Sequence, residues 1–130
     1  MKANELRIGN LIGYENCVYV TESISNEGVF ARNINGFSPA NFPNNIPNPI
    51  PLTEEWLVKF GFEISRLNKH IFESQANGET FQLLKRIGRD SYEVSFYTYY
   101  DDVVYENFKY VHQLQNLYFA LTGDELTIKE

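Results

Sequence analysis

Residues 92–121 read YEVSFYTYYDDVVYENFKYVHQLQNLYFAL, and the period of the hydrophobic residues changes within this run. The first part has the composition of two β-strands, at about residues 92–99 and 103–110. From Val111 onwards, apolar residues recur at intervals of three and four, which indicates an amphipathic helix with Gly123 in the position of a C-cap. Strands followed by a helix that covers them are typical of an α+β fold.

Upstream of this run, the sequence predicts two more strands and a short helix. The strands are expected at about residues 69–73 and 80–86, with Asn77-Gly78 as a strong hairpin signal between them. Thr53 is a suitable N-cap for a helix over residues 54–60, because its hydroxyl can accept an N–H of the first turn. We therefore expect an antiparallel sheet of about four strands with the C-terminal helix packed on it.

The first third of the chain predicts a small β-meander. Short apolar stretches alternate with turn residues, at residues 10–12, 17–21 and 29–31. The separators over residues 13–16 and 25–28 contain residues that tolerate the positive φ of tight hairpins. A meander of this size resembles part of an SH3-like barrel, and we expect residues 1–38 to form it.

All five prolines lie between Pro39 and Pro51. Proline removes a backbone donor and disfavours helical geometry in the residue before it. We therefore expect residues 39–52 to run as an extended linker to an α+β subdomain over residues 53–130, unless the whole chain forms one compact domain. A recognition segment for a groove-type partner is the alternative, but no two prolines have the spacing of a PxxP ligand.

The composition excludes several classes of protein. The chain has 130 residues, of which 43% are hydrophobic and 15% aromatic, so intrinsic disorder is not expected. Cys17 is the only cysteine, which excludes an internal disulfide and fits a reducing compartment. Because the sequence also shows neither a signal-peptide pattern nor an apolar run of membrane-spanning length, we expect a cytoplasmic protein without membrane contact.

The charge pattern argues against general nucleic-acid binding. The formal net charge is -6, and the densest basic cluster is Lys85, Arg86 and Arg89. Proteins that track phosphates concentrate Lys and Arg on one face. Weak nucleic-acid binding through these three residues is kept as an alternative function.

The sequence contains no recognisable motif for catalysis, a cofactor or a metal. Neither GxGxxG nor GxxxxGK occurs, and the chain has only two histidines and one cysteine, so no nucleotide cofactor and no metal are expected. His112 is the best candidate for a general base, with Asp101 or Asp102 as its carboxylate partner. A small enzyme using these residues is therefore a second alternative.

Two groups of residues are candidates for a binding surface. Tyr97 and Tyr99 would project to the same face of a strand because side chains alternate, and tyrosine is enriched at protein interfaces. Cross-strand packing in the core is the other interpretation of these tyrosines. The second group is a polar strip on the C-terminal helix, formed by His112, Gln113 and Asn116.

This helix divides into two sides. The apolar side consists of Leu114, Leu117, Tyr118 and Leu121. We expect it to pack on the sheet, so that Leu117→Ala costs about 2–5 kcal/mol. We expect the polar strip to be exposed, so that each alanine substitution in it costs about 0.5 kcal/mol or less.

Three stretches resemble a known protein family. They are KANELRIGNL at residues 2–11, PIPLTEEWLVKFGF at residues 49–62 and YVHQLQNLYFALTGDEL at residues 110–126. Together they resemble an uncharacterised family of small bacterial proteins associated with prophage and bacteriophage gene sets. The family has no established activity, so the resemblance assigns no catalytic residue and implies a small accessory role. We expect a non-catalytic interaction module with a protein partner.

Overall fold

The computed structural model describes residues 6–36, 39–43, 48–76, 79–85, 91–97 and 102–129. Within these ranges the chain forms two antiparallel sheets and two helices, which confirms the α+β class. The chain divides into two compact units. The first contains Met1–Pro51 and Tyr110–Leu117, and the second contains Leu52–Lys109 and Tyr118–Glu130.

The first unit contains a four-stranded meander in which each strand pairs with the next. Its strands are β1 (Leu11–Tyr14), β2 (Cys17–Ser25), β3 (Gly28–Asn33) and β4 (Pro39–Phe42). The three predicted strands are confirmed, and β4 is an addition. Ile12, Val29, Ala31 and Phe42 form the buried cluster on one face of this sheet.

The start of the predicted linker over residues 39–52 is a strand instead. Pro39–Phe42 is a strand of the sheet, and Phe42 is only 5% exposed. Asn48 and Gly13 exchange two backbone hydrogen bonds of 2.8 and 2.9 Å. Prolines are tolerated here because β4 lies at an edge of the sheet, where one side of the strand has no ladder to complete.

The second unit contains a five-stranded sheet, also paired in sequence order. Its strands are β5 (Glu63–Ile64), β6 (Ile71–Ala76), β7 (Glu79–Lys85), β8 (Tyr92–Tyr97) and β9 (Asp102–Phe108). The four longer strands confirm the prediction. The two residues of β5 are both exposed, so they carry no hydrophobic alternation to detect. Ala76 lies opposite Glu79, and the predicted turn at Asn77-Gly78 lies outside the described residues.

Both predicted helices are present. Helix α1 (Glu54–Lys59) begins as expected, because Thr53 Oγ1 accepts the N–H of Trp56 at 3.4 Å. Helix α2 (Val111–Thr122) contributes its first seven residues to the first unit and the rest to the second. In the second unit, the ring of Tyr118 lies 5.3 Å from that of the buried Phe81 on β7, which confirms that this part of the helix packs on the sheet.

The phenol side chain of Tyr92 is buried in the second unit. Its side chain is 1% exposed, and its Oη has no hydrogen-bond partner among the described residues. Burial raises the pKa of Tyr92 above the ordinary 10.0, and the negative charge of Glu54 raises it further. The hydroxyl therefore costs desolvation free energy without a compensating bond.

We expect Tyr92→Phe to leave the free energy of unfolding at pH 7 unchanged or to raise it by up to about 1 kcal/mol. Above pH 10 the unfolded chain ionises this tyrosine while the folded chain keeps the proton, so the wild-type protein loses stability as the pH rises towards the raised pKa. Tyr92→Phe should lessen this loss. Urea unfolding at pH 7 and in the alkaline range tests both points, with Tyr14→Phe as the control. A loss at pH 7 well beyond 1 kcal/mol would contradict the description of an unpartnered hydroxyl.

Candidate functional site

A pocket of about 340 Å³ opens on the first unit beside β2, β3 and β4. Ser23 of β2 lies opposite Phe30 of β3, and Phe30 lies opposite Asn41 of β4. Residues that face each other across antiparallel strands point to the same side of the sheet. These three side chains therefore form a row in which a half-buried aromatic ring lies between a hydroxyl and an amide.

A second row of residues also lines the pocket. One step further along the hairpin, Ser25 lies opposite Gly28, and Pro43 follows directly after β4. These residues lie two positions from the first row, so they share its face. In this second row Gly28 lies between Ser25 and Pro43, and a side chain in its place would point at the backbone of Phe42. All of these residues line the pocket.

The pocket lies on the side of the sheet away from the core. Val29 and Phe42 also line it, but both side chains belong to the buried cluster. They face the opposite side from Phe30 and Asn41, since neighbours along a strand alternate. Tyr14 and Tyr19 each place a ring 5.1 Å from the Phe42 ring in that core. The floor of the pocket is therefore backbone held in place by packing beneath it.

Gly28 is held in a conformation that other residues rarely adopt. Its φ is +147°, and a Cβ at this position would lie 2.1 Å from the carbonyl oxygen of Phe42. Atoms at that distance overlap, so β3 and β4 can approach this closely only if residue 28 is glycine. Gly28 thus allows the close contact between β3 and β4 beside the pocket.

Among the described residues that line the pocket, Glu27 alone carries an ionisable side chain. It lies in the turn between β2 and β3 and is exposed, and its carboxylate forms no ion pair among the described residues. The nearest basic residue in sequence, Arg32, contacts Glu22 with Nε and Oε1 2.6 Å apart. The pocket therefore carries one uncompensated negative charge.

Ser25 stabilises the turn that carries Glu27. Its Oγ accepts the backbone N–H of Glu27 at 3.2 Å and lies 3.5 Å from the carbonyl oxygen of Gly28. A serine that bonds to the backbone two residues ahead forms a local turn motif. The position of Glu27 beside the pocket thus follows from the sequence Ser25–Gly28 itself.

The predicted tyrosine surface is only partly within the described residues. Tyr97 ends β8, where its backbone pairs with Thr80 of β7 and Asp102 of β9. Tyr99 lies outside the described residues. The proposal that these tyrosines bind a partner stays a prediction.

The prediction of an exposed polar strip on α2 is wrong for His112, which is 4% exposed. Its ring stacks with that of Tyr110, at a centroid distance of 6.0 Å and an interplanar angle of 12°. Gln113 and Asn116 are half-buried. Gln113 Oε1 accepts the N–H of Tyr110 at 3.1 Å, and Asn116 Oδ1 accepts from Asn10 Nδ2 at 2.8 Å.

The N-terminal segment contacts this helix at Gln115 and Asn116. Gln115, which the prediction left out, is 2% exposed and accepts the N–H of Leu11 through Oε1 at 2.8 Å. Its Nε2 donates to the carbonyl of Gly9 at 3.2 Å. Asn10 is fully buried, and its Oδ1 accepts the N–H of Arg7 at 2.6 Å.

The two alternative sites also remain predictions. For the enzyme, Asp101 lies outside the described residues, and only the backbone of Asp102 is described, in β9. For the basic cluster, Lys85 is exposed at the end of β7, and Arg86 and Arg89 lie outside the described residues.

Searches for a metal site and for a membrane span gave no candidate in the described part of the chain. No group of three or more His, Cys, Asp or Glu residues there could hold a metal ion. No helix in those ranges is long and apolar enough to cross a bilayer.

Comparison with known proteins gave no match to a protein family, to a curated protein or to a solved structure.

Proposed function

We propose that the protein is a non-catalytic interaction module that binds a protein partner through the pocket on its first unit, in a small accessory role associated with phage. The observation that carries this proposal is the composition of the pocket: an aromatic ring, a proline ring, two hydroxyls and an amide around one free carboxylate. These groups recognise a ligand by contact and hydrogen bonding. Serine hydroxyls attack substrates when a base activates them, and the described residues that line this pocket include no histidine or lysine.

The size of the pocket favours part of a larger partner over a whole small molecule. Its volume of about 340 Å³ lies at the low end of the range for ligand pockets, about 300–1,000 Å³. Protein partners commonly anchor one side chain in a pocket of this kind, around which polar groups exclude water. Phe30 is the natural contact for such an anchor because it is large, rigid and half-buried.

The edge of the sheet is less suited to binding than its face. Pro39 lies in β4 and Pro43 follows it, so this edge lacks two backbone donors that an added strand would use. A partner that contacts side chains on the outer face of the sheet does not need these backbone donors.

We also propose that the meander is SH3-like and that the protein acts in the cytoplasm. Cys17 begins β2 and its side chain is exposed and free, which suits a reducing compartment. The enzyme alternative has less support, because a general base must reach its substrate and His112 is only 4% exposed.

Affinity capture with the full-length protein from its native cells tests the proposal. We expect one protein to be recovered at constant stoichiometry, and Phe30→Ser to lower its recovery by at least about tenfold, as loss of an interface anchor does. The matched control is Ile34→Ser, since Ile34 is an exposed apolar residue of the same unit outside the pocket. Unfolding curves establish that both variants are folded. Equal recovery by the wild-type protein and a folded Phe30→Ser variant would overturn the proposal.

A further inference from the structure

We propose that the pocket binds an arginine side chain presented by a segment of the protein partner. This inference rests on the proposed function and names the chemical group that the pocket recognises on the partner. Three properties of the pocket support it: its charge, its aromatic ring and its supply of hydrogen-bond acceptors.

The charge of the pocket favours a cation. Within the described part of the chain, the carboxylate of Glu27 has no ion pair, and no lysine, arginine or histidine lines the pocket. Arg32, which is close in sequence, is held by Glu22 at 2.6 Å. An anionic ligand would meet one negative charge and no positive one, whereas a cation would complete an ion pair. The formal net charge of -6 also attracts a basic partner at long range.

The ring and the acceptors favour arginine over lysine. A guanidinium is planar, stacks on an aromatic face and is more weakly hydrated than an ammonium. Phe30 offers such a face, bordered by Ser23 on β2 and Asn41 on β4. A guanidinium has five N–H donors and no acceptor. The Asn41 amide oxygen, the Ser23 hydroxyl and the Glu27 carboxylate are acceptors on three sides of the pocket.

The shape of the pocket suits a long side chain with a polar end. The side chains of Phe30 and Pro43 give the lining of the pocket an apolar part beside its polar groups. The methylene groups of an arginine can pack along apolar surface while its charged end stays at the polar rim. The free carboxylate of Glu27 is at that rim, because the residue is exposed in the turn.

Titration by NMR with two capped tripeptides tests the inference. The probes are acetyl-Ala-Arg-Ala-amide and the same peptide with citrulline, which replaces the guanidinium by a neutral urea of the same shape. With the full-length protein labelled with ¹⁵N, we expect saturable shifts of the amide signals of Gly28, Phe30 and Asn41. The arginine peptide should bind at least about fivefold more tightly than the citrulline peptide, as an exposed ion pair with a cation–π contact implies.

Variants of Glu27 and Phe30 measure separately how the charge and the aromatic ring contribute to peptide binding. Glu27→Gln should remove the preference for arginine over citrulline, and Phe30→Leu should weaken binding of both peptides. Glu15→Gln is the matched control, because Glu15 is an exposed acid in the turn between β1 and β2 of the same unit, and it should keep the preference. Equal binding of the two peptides, or an equal effect of Glu15→Gln and Glu27→Gln, would overturn the inference.

The outcomes distinguish this inference from the proposed function. A protein that captures its partner through Phe30 but binds both tripeptides equally keeps the proposed function and loses the arginine ligand. A protein that binds the arginine peptide at the pocket but captures its partner independently of Phe30 keeps the ligand site and loses the proposed function.

Discussion

Gln115→Ala is expected to lower the free energy of unfolding by about 2–5 kcal/mol, although glutamine on a helix surface is usually replaceable. The Gln115 amide is 2% exposed and bonds to the backbone on both sides of Asn10. Its removal leaves the N–H of Leu11 and the carbonyl of Gly9 without these partners. Each buried polar group left unsatisfied costs about 1–3 kcal/mol.

Two further variants isolate the cause of this effect. Gln115→Met keeps most of the side-chain volume but loses both hydrogen bonds, so it should cost nearly as much as Gln115→Ala. Gln75→Ala removes an exposed glutamine that bonds only to the side chain of Thr80, and it should cost about 0.5 kcal/mol or less. Urea unfolding of the full-length variants measures all three. If Gln115→Ala and Gln75→Ala were equally mild, the two backbone bonds of Gln115 would not stabilise the fold.

Gly28→Ala is expected to cost about 3–5 kcal/mol, because two penalties add. The backbone at φ +147° is unfavourable for any residue with a Cβ, and the new Cβ would lie 2.1 Å from the Phe42 carbonyl oxygen. That oxygen belongs to the backbone and cannot move aside like a flexible side chain. The end of β4 would have to separate from β3, which would also disturb the core packing of Phe42.

Gly36→Ala is the control that separates the two penalties. Gly36 also has positive φ, +83°, but a Cβ there meets nothing within 4 Å, so this variant should cost only about 1–2 kcal/mol. Thermal and urea unfolding measure the difference. Amide NMR signals of Phe30 and Asn41 should shift in Gly28→Ala and stay unchanged in Gly36→Ala. Equal destabilisation by the two variants would show that the approach of β3 to β4 is not as close as described.

Local interactions explain what could be predicted from the sequence. The N-cap at Thr53 depends on residues up to Trp56, three positions along the chain. Helix α2 follows from the spacing of its apolar residues, and the turn at Glu15-Asn16 contains Asn16, a residue type that accepts positive φ. In each case the residues that determine the conformation lie within a few positions of one another, so the conformation can be predicted from the sequence alone.

Contacts between distant parts of the chain explain what could not be predicted. The helical period assigns Leu114 to the apolar side of α2 and leaves Gln115 off it. It does not show that another segment covers the polar side of this helix. That cover comes from Asn10 and its neighbours, about a hundred positions away, where the hydrogen bonds of Gln115 span 104 and 106 positions. The sequence does not distinguish a buried side-chain amide from a solvated one. Either amide can satisfy its hydrogen bonds, the buried one with backbone groups and the solvated one with water.

The sequence alone determined the α+β class, the positions of both helices and most strands, and the presence of one free cysteine, because these depend on composition and short-range period. The tertiary structure decided that Pro39–Phe42 is a strand, that His112 and Gln115 are buried, and that Phe30 borders a pocket. Each of these depends on which segments lie side by side. The turn over Ser25–Gly28 fixes the register of β2 against β3, whereas the position of Gly28 beside the end of β4 depends on the pairing of β3 with β4.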